Sequence, residues 1–328
     1  MEKNELTKST LIGFAVGDAF GVPFEFLTRE QVRNIAPTEM VGKEDDLPFE
    51  SRWSGLIPSG CFSDDTSMLI AGMDSIASNG GMMIYEDVMS RYISWIKFGN
   101  YSSTGKAFGL GGVVSRSLWR FVNNVPALEC GGKETHDNGN GSLMRILPFS
   151  LYAIKFGLSQ KFTAEMIGEA SSLTHAHPIS KLGCYLYTEF LRELSLSADK
   201  QTAFQKLLTL DLSSFPENAV KAYSQLLDPE FPKTPDSEIN EKNGYVVTTL
   251  ISAIHSLMNT DNYESAIIKA AYLGYDNDTI CGVTGSLAAA IYGLDAIPER
   301  WLGKLRHKDE LLSLAERFDA VFDIVDEQ

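Results

Sequence analysis

Two short runs concentrate the residues able to do chemistry: Ser63-Asp64-Asp65-Thr66 and, far downstream, Asp276-Asn277-Asp278-Thr279. Each packs carboxylates and hydroxyls into four residues, and hard divalent cations such as Mg²⁺ or Mn²⁺ take oxygen ligands of this kind. A regular α-helix turns about 100° per residue, so Asp276 and Asp278 inside one would point nearly opposite ways. They are therefore expected on a turn or at a helix start. Gly274 before the pair and the small, apolar run Ile280 to Gly293 after it agree, and Gly60 and Met68 to Ala71 flank the first run in the same way. Together the runs read as a two-metal site. Singly, each also reads as ordinary helix capping, because Asp, Ser and Thr accept from first-turn N–H groups and negative charge is favoured there. The choice between the two depends on whether the fold joins them.

The elements that must do the joining are helical. Apolar residues recur at three- and four-residue spacing almost throughout, with no sustained strand-type alternation, so the chain reads as all-α. A first helix over about 6–20 carries Gly13, Gly17 and Gly21 on one face, where another helix can approach closely. Gly282, Gly285, Ala288, Ala289 and Gly293 mark a second helix crowded by neighbours. Further helices are expected over 65–78, 84–98, 112–123, 143–156, 163–174, 178–195, 216–226, 244–258, 262–272 and 308–324. Residues 29–62 and 127–142, rich in Pro and Gly, read as long irregular stretches of the kind that carry function, and 227–243 as a polar crossover. With no repeat and no convincing linker, residues 1–328 are expected to form a single domain.

Bulk composition narrows the function. An apolar content of 44% is that of a globular protein. A net charge of −15 and a pI near 4.8 argue against nucleic acid or an anionic membrane as partner. A phosphate-bearing ligand would then rely on backbone N–H groups or metals. Cys61, Cys130, Cys184 and Cys281 show no Cys-x-x-Cys spacing, which fits reduced cytoplasmic thiols rather than disulfides or zinc. Lys3 and Lys8 precede an apolar stretch too short for a signal peptide and interrupted by Asp18. No stretch is long enough to span a membrane.

Five segments in order resemble the ADP-ribosylglycohydrolases, the family of the dinitrogenase-reductase-activating glycohydrolase and the ADP-ribosyl-acceptor hydrolases. They are Gly13 to Gly21 followed by Glu25, Phe62 to Met68, Gly139 to Arg145, Thr174 to Pro178, and Gly274 to Thr279 with Thr284 to Ala288 beyond. The resemblance implies a compact orthogonal bundle of helices and two divalent cations, Mg²⁺ or Mn²⁺. It implies Ser63, Asp64, Asp65, Asp276, Asp278 and Thr279 as their ligands, and cleavage at the distal ribose C1 of an ADP-ribosylated protein or small molecule. Ser63 stands where relatives more often have Thr, Asn277 where many have Thr, and Tyr275 where many have Gly or Asn. The valines after Gly111 and Gly112 replace hydroxyl residues common in relatives.

In this reading Asp64 or Asp65 exchanges a proton, and Glu25 has a gating and catalytic-support role in place of a solvated helix end. Gly111, Gly112, Asn140, Gly141, Ser142 and His175 contact substrate, the Gly139 to Ser142 backbone cradling a diphosphate. Arg145 reads either as a phosphate contact or as half of a buried ion pair, and His177 as fixing a turn. An acidic rim, suited to an arginine acceptor, is expected from the net charge. Two alternatives share these residues: a catalytically inactive ADP-ribose-binding or structural protein of the same fold, and a metal-dependent phosphohydrolase.

Overall fold

A computed structural model describes residues 3–239 and 244–323. Among the described residues there are fifteen α-helices, seven short 3₁₀ turns and no strand. In chain order the helices are α1 (Lys3–Gly21), α2 (Arg29–Ile35), α3 (Asp64–Ser78), α4 (Tyr85–Phe98), α5 (Gly112–Val122), α6 (Leu147–Lys155), α7 (Gln160–Ser172) and α8 (Pro178–Ser197). They continue with α9 (Lys200–Leu207), α10 (Glu217–Ala222), α11 (Val246–Met258), α12 (Tyr263–Tyr272), α13 (Asn277–Tyr292), α14 (Glu299–Leu302) and α15 (Lys308–Asp323). Buried apolar side chains from Leu6 to Phe318 form one connected core. No single described helix is long and apolar enough to cross a membrane.

The bundle is organised around α1 and α13. The glycine face of α1 lies on the small-residue face of α13 so closely that a methyl on Gly13 would stand 2.5 Å from the Gly285 carbonyl oxygen, and one on Gly17 would overlap the Cys281 carbonyl. Gly21 meets the Asn277 backbone in the same way. Absent side chains thus set the distance between backbones, and they fix the start of α13 beside the end of α1. The same helix fixes α3. The Asp18 carboxylate, fully buried, accepts from the N–H of Ser63 at 3.0 Å, from the N–H of Thr66 at 3.0 Å and from the Thr66 hydroxyl at 2.6 Å. One helix therefore brings both acidic runs together.

Local departures from the sequence reading have identifiable causes. The expected irregular stretch 29–62 begins with α2, whose capping box joins Thr28 and Gln31 in both directions. The expected helix over 143–156 is split, with a 3₁₀ turn over Asn140–Arg145 and α6 starting at Leu147 with Pro148 in its first turn. Helix α9, capped by Asp199, and the short α14 lie where no helix is expected, and α10 is shorter than its expected 216–226. The crossover contains two 3₁₀ turns, Phe231–Lys233 and Asp236–Glu238. Its residues 240–243, and the last residue of the expected helix 308–324, lie outside the described residues.

Candidate metal and substrate cavity

Both acidic runs sit at helix starts, as the opposed directions of Asp276 and Asp278 require. Ser63 is the N-cap of α3, its hydroxyl accepting from the Asp65 N–H at 3.2 Å. Asp276 occupies the N-cap position of α13 but does not cap it; its Oδ2 instead accepts from Asn140 Nδ2 at 2.6 Å. Asp278 Oδ1 accepts only locally, from the Thr279 N–H at 2.9 Å. Capping thus accounts for Ser63 and leaves the carboxylates of Asp64, Asp65, Asp276 and Asp278 on the wall of one cavity of about 380 Å³.

Glu25 joins them from the end of the turn that follows α1. It is 4% exposed, with Arg52 donating to Oε1 at 3.2 Å and the Trp53 indole N–H to Oε2. Oxygens of Glu25, Asp276 and Asp278 lie within 4.8 Å of one another. The segments carrying them are tied together, the Phe26 N–H donating to the Tyr275 carbonyl at 2.5 Å and the Tyr275 N–H to the Leu27 carbonyl at 2.7 Å. Phe26 and Tyr275 both hold positive φ, 65° and 68°, a conformation that side chains disfavour and that gathers at functional sites.

Electrostatics set this cluster apart. Burial, reinforced by the charge of Asp276, pushes the Glu25 carboxyl up to about 7 against the opposing contacts of Trp53 and Arg52. Burial lifts Asp64 well above the carboxylate range with help from Glu25 and Asp18, and lifts Asp65 with help from Asp64 and Asp18. Asp278 rises likewise through burial and then Glu25 and Asp65, whereas at Asp276 the Asn140 amide opposes the rise from burial. Asp65 Oδ2 is buried without a hydrogen-bond partner. Like charges held this close share protons or attract cations, and an orphaned carboxylate oxygen among all-oxygen donors fits a hard divalent ion.

Of the other sequence-predicted residues, Thr279, Gly111, Gly112, Asn140, Gly141 and His175 line the same cavity, while Ser63 and Ser142 do not. Ser142 is a core residue, its hydroxyl accepting from Ser171 at 3.0 Å and from the Cys184 thiol at 3.4 Å. Asn140 spends its amide on Asp276 and on Thr249, and its N–H on the Gly244 carbonyl, so it orients a carboxylate. His175 is held neutral, its pKa driven down to about 3 by burial and then by Arg145. His177 caps α8 by accepting from the Ile179 N–H at 3.2 Å.

Two expectations need correction. Arg145 neither reaches the cavity nor pairs with an Asp. It is fully buried, donating to the Thr174 hydroxyl at 2.7 Å and to the Ala170 carbonyl at 3.1 Å, and lies over the Tyr92 ring. Nor is the rim acidic among the described residues: the acids line the buried part of the cavity, and the exposed charged residue described on its wall is Arg52.

Other residues carry weight that no local pattern announces. Asp18 and Trp53 act through partners far away in sequence. Gly109 holds a φ of 89°, and a methyl there would overlap Asp64 Oδ1.

The family described as ADP-ribosylglycohydrolase matches over residues 2–327. The ADP-ribosylarginine hydrolase of Serratia proteamaculans is 30% identical over 317 residues, covering 96% of this chain and 79% of that protein. The ADP-ribosyl-[dinitrogen reductase] glycohydrolase of Rhodospirillum rubrum is 27% identical over 93% of this chain and 94% of its own length. A solved structure described as an ADP-ribosylglycohydrolase-related protein complex superposes with a TM-score of 0.74 at 26% identity, covering 98% of this chain and 99% of that one. The chain belongs to the ADP-ribosylglycohydrolase family.

Proposed function

We propose that the cavity holds two divalent cations, Mg²⁺ or Mn²⁺, and that the chain hydrolyses the glycosidic bond at the distal ribose C1 of an ADP-ribosylated acceptor, with an arginine side chain favoured. The observation that carries this reading is the convergence of Asp64, Asp65, Asp276, Asp278 and Glu25 on one cavity whose described lining offers no balancing charge beyond Arg52. Asp64, Asp65, Asp276, Asp278 and Thr279 would hold the cations, and Ser63 would join them through the hydroxyl lone pair that its capping bond leaves unused. Bound cations would supply the charge that orients ribose hydroxyls and acidifies a water.

The chain's own groups do the rest. Asp64 or Asp65, raised in pKa by burial and neighbouring carboxylates, is suited to take and return a proton. Glu25, near 7, stands ready beside them. Gly111 is the N-cap of α5 and offers no side-chain cap, so first-turn N–H groups on the cavity wall suit a diphosphate. Asn140 and Asp18 position carboxylates. The arginine preference rests on the likeness to an ADP-ribosylarginine hydrolase.

The test is ADP-ribose release, with metal present, from matched ADP-ribosyl-arginine and ADP-ribosyl-serine peptides. Faster release from arginine is expected. Faster release from serine would overturn the acceptor assignment alone. Release of phosphate would indicate a phosphohydrolase, and binding of ADP-ribose without turnover an inactive binding protein.

A further inference from the structure

A second concavity, an open groove of about 1010 Å³, adjoins the acidic cavity. Two chain segments form the partition between them. Arg52 and Gly109 line the acidic cavity, while their neighbours Trp53 and Phe108 line the groove, with ring centroids 5.1 Å apart. Trp53, on the groove side, also donates to Glu25 in the acidic cavity, so the groove lies one side chain away from that carboxylate.

The groove reverses the charge of the molecule around it. Lys43, Lys106, Arg306 and His307 line it, all exposed. Among the described residues neither Lys43, Lys106 nor Arg306 is in an ion pair, whereas His307 meets Glu310 at 3.4 Å. Glu44, the nearest acid along the chain, has an oxygen committed to the Ser59 N–H. The cations are also well placed. Ser102 and Thr104 hydroxyls donate to the Lys106 carbonyl at 2.5 and 2.8 Å, fixing its turn, and the Arg306 N–H donates to the Gly60 carbonyl at 3.0 Å. Leu56, 63% exposed, adds an apolar surface among them.

Building on the hydrolase reading above, we propose that this groove binds the polypeptide of the acceptor, selecting acidic residues that flank the ADP-ribosylated side chain. Three unpaired cations beside aromatic and aliphatic surface complement a short segment mixing Glu or Asp with apolar residues. A nucleic acid is the poorer fit, because a long polyanion would meet the field of a chain with net charge −15, whereas a short segment senses the local cations.

The experiment compares ADP-ribosyl-arginine peptides flanked by Glu with their Gln counterparts, using wild type and the Lys106→Glu/Arg306→Glu variant. ADP-ribosyl-agmatine serves as the substrate without a peptide. Wild type should favour the Glu peptide about five- to tenfold in kcat/KM, and less as salt rises. The variant should lose that preference and keep its agmatine rate. Anisotropy of the fluorescein-labelled, unmodified Glu peptide reads the groove independently of turnover, and should show binding to wild type that the variant lacks. No preference in wild type, a preference that survives in the variant, or equal loss of the agmatine rate would overturn the proposal. So would tighter binding of tripolyphosphate or of a single-stranded oligonucleotide at the same residues. Charge-dependent peptide binding without hydrolysis of any substrate would sink the hydrolase reading and leave the groove standing.

Discussion

Helix α3 carries acids at both ends, and the two ends are electrostatic opposites. Near its C-terminus, Asp74 accepts from Tyr101 and from Arg317, each at 2.9 Å, and from Arg91. Burial would raise its pKa, but bonds from Arg317 and Tyr101 and the charge of Arg91 outweigh it and leave the group below the carboxylate range. At the N-terminus Asp64 and Asp65 are more deeply buried, face other acids and rise instead. A partnered acid is part of the structure. A buried cluster of like charges costs stability, and such clusters mark sites that hold an ion or move a proton.

The largest expected effect breaks the comparison at its functional end. Asp65→Ala or Asp278→Ala should lower ADP-ribose release by at least ~10³-fold, without lowering the metal-free melting temperature, since each removes a repelling charge. Asp74→Ala should do the reverse, costing about 1–2 kcal/mol of stability, discounted for its partial exposure, with release little changed. Parallel rates and melting curves check both, and a full rate in either cavity variant would erase the distinction. Glu25→Gln should reduce turnover by roughly 10²–10⁴-fold, as loss of a proton-transfer group does, with ADP-ribose affinity by calorimetry largely kept. Wild-type turnover would leave Glu25 as a buried structural acid held by Arg52 and Trp53.

A subtler change tests the placement of the acids rather than their presence. Gly109→Ala adds a side chain at positive φ and against Asp64, which should cost about 1–2 kcal/mol and reduce release on the order of tenfold. Unchanged release would show that Asp64 can shift freely.

The smallest effect is in pH. Folded-state pKa values of Glu25, near 7, and of Asp64, Asp65 and Asp278 are raised. In the metal-free protein their stabilising contribution is complete below the unfolded carboxylate range and is lost as pH rises through the folded values. Divalent ions compete with those same protons. The melting-temperature gap between protein with Mn²⁺ and protein with EDTA should therefore widen from about pH 5.5 to about pH 7.5. A gap independent of pH would separate the ion from these carboxylates.

Much of this arrangement is legible in the sequence because its determinants are local. Glycines at 13, 17 and 21 announce a close helix contact by spacing alone, and the opposed directions of Asp276 and Asp278 put them at a helix start. What is not legible depends on partners distant in sequence. Nothing around Asp18 says that it holds the start of α3, nor does Arg145 reveal that carbonyls and a hydroxyl surround it. Net charge misleads about the described part of the rim, because −15 is an average over a surface that places Arg52 at the cavity and Lys106 and Arg306 next to it. The capping box of α2 was readable as Thr28 and Gln31 three apart, but it is hidden among prolines and glycines.

The most direct test of the central claim is an anomalous difference map from crystals soaked in Mn²⁺. Two peaks enclosed by Asp64, Asp65, Asp276 and Asp278, absent after Asp65→Ala and Asp278→Ala, are expected. Manganese confined to surface acids, with these four carboxylates free of it, would contradict the account.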